Sequence, residues 1–123
     1  MEKVEFVQQM QRRTKELALR VIRLFRSLPK TDEARIIGRQ LLRSATSVAA
    51  NYRAVCRARS QAEYFAKLSI VVEETDETLF WMELLTEAEI VPVVKLQNLI
   101  TEATELLSVF STARKNTSTD KRS

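Results

Sequence analysis

The chain has 123 residues, 45% apolar and 29% charged, with one Gly, two Pro, one Cys and no His; that is one domain's length, able to bury its own core, with too few turn residues for a sandwich or barrel. The missing histidine excludes a Ser-His-Asp triad, imidazole-ligated zinc and Glu-x-x-His di-iron pairs, and the lone Cys56 excludes an internal disulfide or a thiolate zinc cluster. A formal net charge of +4 conceals a division into +9 over residues 1–60, −8 over 61–113 and +3 over 114–123, which points to a nucleic-acid face or to basic and acidic surfaces that meet.

The composition is all-α, and the apolar spacing predicts four helices, at about 3–28, 32–57, 61–88 and 92–112. The start, Met1-Glu2-Lys3-Val4-Glu5, lacks the apolar stretch of a signal peptide, and no run reaches the ~20 apolar residues of a membrane span. A soluble cytoplasmic protein without a membrane partner is expected. In the first helix Val7, Met10, Thr14, Leu17, Val21, Leu24 and Leu28 keep a 3-4 spacing, the seam of a bundle. Pro29 stops it, and Thr31 with Asp32 and Glu33 caps the next helix. The short connection makes the two helices antiparallel neighbours.

Along the second helix Ala34, Ile37, Leu41, Ala45, Val48, Tyr52 and Val55 share one side. Gly38 lies mid-helix, where it costs ~1 kcal/mol relative to Ala, so tight packing is expected there. Ser60-Gln61-Ala62-Glu63 reads as a capping box opening the third helix, whose seam is Phe65, Leu68, Val72, Thr75, Leu79, Met82 and Thr86. Ile70 and Trp81, ~20° apart on a helical wheel, point away from that seam and mark a second apolar face, a candidate subunit interface. The fourth helix starts near Pro92 and carries Leu96, Leu99, Ala103, Leu106 and Phe110. Residues 114–123 hold nothing to bury and read as a disordered basic tail. The predicted architecture is an up-down-up-down antiparallel four-helix bundle over residues 1–113.

The most organised surface feature is an arginine stripe on the second helix. At ~100° per residue Arg35 and Arg53 share one angle, Arg39 and Arg57 lie ~40° from them and Arg43 ~80°. Arg59 extends the stripe into the following loop, Thr46 and Ala50 lie among the arginines, and Arg12, Lys15, Arg23 and Arg26 line the outer side of the first helix. A guanidinium donates two parallel hydrogen bonds to phosphate and stays charged, so the stripe fits a nucleic-acid backbone without base-specific reading. A face that docks acidic groups of a partner or a neighbouring subunit is the alternative. No catalytic residue, metal or cofactor is expected.

Glu73-Glu74-Thr75-Asp76-Glu77 with Glu102-x-x-Glu105 resembles the magnesium site of all-α nucleotide pyrophosphohydrolases. The second motif ends in Glu rather than Asp, and Glu73, Glu74 and Glu77 lie opposite Phe65, Val72 and Leu79, so convergence inside the bundle is not expected. Cys56, beside the core position Val55, is expected as a small buried hydrophobe, and Tyr52 and Tyr64 as core residues.

Leu42-Arg43-Ser44-Ala45-Thr46-Ser47-Val48-Ala49-Ala50-Asn51-Tyr52, then Arg59-Ser60-Gln61-Ala62-Glu63-Tyr64-Phe65, resembles the four-helix-bundle family encoded in intervening sequences of bacterial 23S ribosomal RNA genes. The stretch Glu74–Leu85 fits a branch of it, and the resemblance covers residues 5–112. It implies a cyclic homopentamer without enzymatic activity and with a role in binding nucleic acid. The family is similar in fold to the accessory variability determinant protein of diversity-generating retroelements, which implies a reverse transcriptase as a further partner. Where many members continue Ala-Asn with Ile-Ala-Glu-Gly-x-Gly, this chain has Tyr52-Arg53-Ala54-Val55-Cys56-Arg57. Losing both glycines and gaining two arginines should lengthen the second helix and make its end more basic.

Overall fold

A computed structural model describes residues 3–122, with side chains described through Thr117. Four helices follow in order: α1 (Lys3–Ser27), α2 (Asp32–Cys56), α3 (Gln61–Glu87) and α4 (Val93–Arg122). Each packs along its neighbour in sequence, and α1 meets α4 more sparingly, so the chain folds as an all-α four-helix bundle. No described helix is long and apolar enough to cross a membrane.

Local chemistry sets the starts. Thr31 caps α2, its hydroxyl accepting from the Ala34 N–H at 3.3 Å, and Ser60 caps α3 by accepting from Glu63 N–H at 3.0 Å. At the end of α3, Ala88 N–H donates to the Leu84 carbonyl, while Ile90 N–H and Val91 N–H both donate to that of Leu85. This wrap holds Glu89 at φ 60°, the left-handed conformation that a side-chain-bearing residue adopts at a cost.

The predicted seams close on one another. Met10, Leu17 and Val21 of α1 are buried, as are Leu41, Ala45 and Val48 of α2 and Leu68, Val72 and Met82 of α3. Leu96, Ala103, Leu106 and Phe110 complete the core from α4. The Tyr52 ring meets that of Phe110 at 5.1 Å, as a core tyrosine should. Gly38 is where α1 and α2 press together: a Cβ there would stand 2.6 Å from Leu28 Cδ1 and 3.2 Å from Phe25 Cδ1.

The chain departs from expectation at its end. The expected disordered tail at 114–123 is helical as far as Arg122, Ser123 lying outside the described residues. Nothing after Ala113 breaks a helix, and Thr117 is buried with its hydroxyl donating to the Ala113 carbonyl at 2.8 Å.

Candidate nucleic-acid interface

Between the N-terminal half of α1 and the C-terminal half of α2 runs an open groove of about 750 Å³. Gln8, Gln11, Arg12, Thr14 and Lys15 line it from α1, and Thr46, Ala49, Ala50, Tyr52 and Arg53 from α2. The lining therefore carries three cations and no carboxylate. Antiparallel packing across the short 28–31 connection sets Arg12 and Lys15 opposite Ala49 and Thr46, whose short side chains leave the depth. Of the predicted stripe only Arg53 lines this groove. Arg12 and Lys15, read from sequence as the outer side of the first helix, are its other two cations; the antiparallel register was the signal that could have placed them.

The remaining arginines divide. Arg39, Arg57 and Arg59 are exposed and, like Arg12, Lys15 and Arg53, form no ion pair among the described residues. Arg35 is exposed and its guanidinium donates to the Lys30 carbonyl at 3.3 Å. Arg43 turns toward α3 instead. Its Nη1 donates to Glu74 Oε2 at 3.0 Å and its Nη2 to Glu77 Oε1, so this arginine, expected to contact phosphate, is held within the subunit. On the wheel it is the member of the stripe that leans farthest toward the α3 flank.

Arg43 belongs to a polar ladder along the α2–α3 joint. Asn51 Nδ2 donates to the Ser47 hydroxyl oxygen at 2.9 Å, Ser47 Oγ donates to Glu74 at 3.0 Å, and the Trp81 indole N–H donates to Glu77 at 3.2 Å. Beneath it the Thr78 hydroxyl donates to Ser44 Oγ at 3.0 Å, both side chains fully buried. These bonds account for the Arg-Ser-x-x-Ser-x-x-x-Asn pattern of residues 43–51: it matches α2 to α3. The Glu77 carboxyl is held below its usual range, first by the indole N–H and then by Arg43.

The second carboxylate pair is also taken by an arginine. Arg13 reaches from α1 to α4, Nε donating to Glu102 Oε2 at 2.8 Å, Nη2 to Glu102 Oε1 at 2.6 Å and to Glu105 Oε1 at 3.1 Å. That two-pronged bond depresses the Glu102 carboxyl below its usual 4.5. The acidic motifs on α3 and α4 thus face different arginines. Among the described residues no three acidic or thiol side chains converge to hold a metal ion.

Cys56 is exposed at the end of α2 rather than buried, because the helix stops there and only Val55 turns inward. Partial burial raises its thiol above the ordinary value, against the hydrogen bonds of Tyr52 and Gln11. On α3 Ile70 is exposed, whereas Trp81 is half-buried against the core, with its ring at 5.0 Å from that of Phe80. Phe80, 50% exposed, and Ile36, 61% exposed, are further apolar surfaces that the wheel reading passed over.

A crystal structure from Bacteroides thetaiotaomicron, of a protein of unknown function from the S23 ribosomal protein family, is similar over 86% of this chain and 98% of its own, with 29% identity and a TM-score of 0.80. No curated protein matches the chain. The model of the 23S rRNA-intervening sequence proteins matches residues 3–112, and the chain belongs to that family.

Proposed function

We propose that this protein is a non-enzymatic, oligomeric accessory protein that binds nucleic acid by its phosphate backbone. The observation that carries the reading is the α1–α2 groove, lined by Arg12, Lys15 and Arg53 without a carboxylate, together with Arg39, Arg57 and Arg59 exposed on α2 and the loop after it. Guanidinium and ammonium groups that have no internal partner keep their full charge for an external polyanion. Membership of the 23S rRNA-intervening sequence family supports an RNA-related role. The non-enzymatic part is supported by the capture of both carboxylate pairs by Arg43 and Arg13.

Assembly belongs to the same reading. Basic α1 and α2 and acidic α3, with Phe80 and Ile70 exposed on it, offer two unlike surfaces, as a head-to-tail ring such as a homopentamer requires. A reverse transcriptase as partner rests on the retroelement resemblance alone. The second reading, a scaffold whose basic face docks an acidic partner or neighbouring subunit, draws on Arg43 and Arg13, two arginines already engaged by carboxylates.

Fluorescence-anisotropy titration of labelled structured RNA and duplex DNA at several salt concentrations separates the two. Affinity whose logarithm falls with the logarithm of salt concentration by several units of slope is the expected result. No binding even at low salt would leave the scaffold reading.

A further inference from the structure

The length and floor of the cationic face bear on which form of nucleic acid it takes. Arg35 and Arg57 are 22 residues apart on one continuous stretch of α2 and its cap, about 33 Å at ~1.5 Å per residue. One turn of a duplex is about the same, ~34 Å. Arg35, Arg39, Arg53 and Arg57 lie within ~40° of one another on this stretch, while Arg43 between them is held to α3. The floor of Thr46, Ala49 and Ala50 makes a furrow, with Arg12 and Lys15 on one bank and Arg53 on the other. A furrow of this kind receives a ridge, and the ridge a duplex presents is its sugar-phosphate backbone.

An unpaired strand draws its sequence-tolerant affinity from bases stacked on exposed aromatic faces. The lining of the groove holds one aromatic ring. Tyr52, at the groove, is 5% exposed and turned onto Phe110. Phe25 packs at Gly38, and Tyr64 is half-buried against the core. Phe6 lies ~20° from Arg13 on the helical wheel, on the flank of α1 that faces α4. Phe80 and Trp81 pair on α3 beside Glu77, where carboxylates repel phosphate.

Resting on the phosphate-backbone reading above, we infer that the α1–α2 groove seats the sugar-phosphate backbone of a duplex and not an unpaired strand. The bases stay paired and stacked outside the furrow, and the contacts are to phosphate oxygens, with the Gln8 and Gln11 amides as neutral donors beside the cations.

Anisotropy titrations of the full chain with a labelled DNA duplex of about two turns, and with unstructured oligo-dT carrying the same number of phosphates, test this at one salt concentration. The duplex should bind about tenfold tighter or more. Oligo-dT binding as tightly as the duplex would overturn the inference and leave the phosphate-backbone reading standing. Failure of both to bind at low salt would overturn the two together.

Discussion

Arg39 and Arg43 stand one helical turn apart on α2 and differ in what surrounds them. Arg39 faces solvent, while Arg43 lies within reach of two carboxylates one turn apart on α3. Glu74, only 16% exposed at its side chain, needs a cation, and Arg43 supplies it together with the Ser47 hydroxyl. Arg43→Gln should therefore reduce stability by about 1 kcal/mol, the range of a partly exposed charge network. Its affinity for duplex DNA should stay within about twofold of the parent, whereas Arg53→Gln should weaken binding and lower the salt slope by about one unit. Urea denaturation and anisotropy on the two variants check this. A drop in affinity for Arg43→Gln as large as for Arg53→Gln would place Arg43 on the nucleic acid. Tyr52 makes the contrasting point about burial: its phenol is pushed well above the ordinary value by desolvation, so it remains neutral beside the groove.

Among the helix pairs, α1 and α4 form the sparser joint, and there Arg13 grips Glu102 with two hydrogen bonds while both side chains are about three-quarters covered. A carboxyl whose folded value is depressed stabilises the fold above its unfolded value, and that contribution is lost as pH falls through the folded value. For Glu102 the window starts near its usual 4.5 and extends below it. Glu102→Gln should be about 1–2 kcal/mol less stable than the parent near neutral pH. The gap should narrow as pH falls from about 5 toward about 3, as the parent loses the paired carboxylate. Urea midpoints for both proteins across that range test it; a gap unchanged with pH would mean the pair contributes by packing alone. The helices themselves were legible in sequence because Pro29, Thr31 and Ser60 punctuate them and the 3-4 spacing sets their inner faces. What sequence could not supply was the register between helices. A wheel places Arg43 within ~40° of Arg39, and only the position of Glu74 and Glu77 on α3 decides that one is engaged and the other free. The same gap left Arg12 and Lys15 described as an outer side when they form one bank of a groove. Cys56 was misplaced because one residue beyond Val55 the helix ends and its inner face no longer exists.

In the molecule as a whole the division of charge is partly satisfied inside the subunit. Two arginines of the basic half, Arg13 and Arg43, clasp four carboxylates of the acidic half across the α1–α4 and α2–α3 joints. Arg12, Lys15, Arg39, Arg53, Arg57 and Arg59 are exposed on α1, α2 and the loop after it, while Glu73, Asp76, Glu83 and Glu87 are exposed on α3. Such a polar molecule attracts polyanions on one side and repels them on the other, so position should matter more than net charge. One comparison tests that claim directly: salt-dependent anisotropy with duplex DNA for the triple variant Arg12→Gln, Lys15→Gln, Arg53→Gln against Lys30→Gln, Lys67→Gln, Lys95→Gln, which removes the same charge away from the groove. The groove variant should lose about tenfold or more in affinity and about three units of salt slope, with the control near the parent. Equal losses in the two variants would contradict a grip located between α1 and α2.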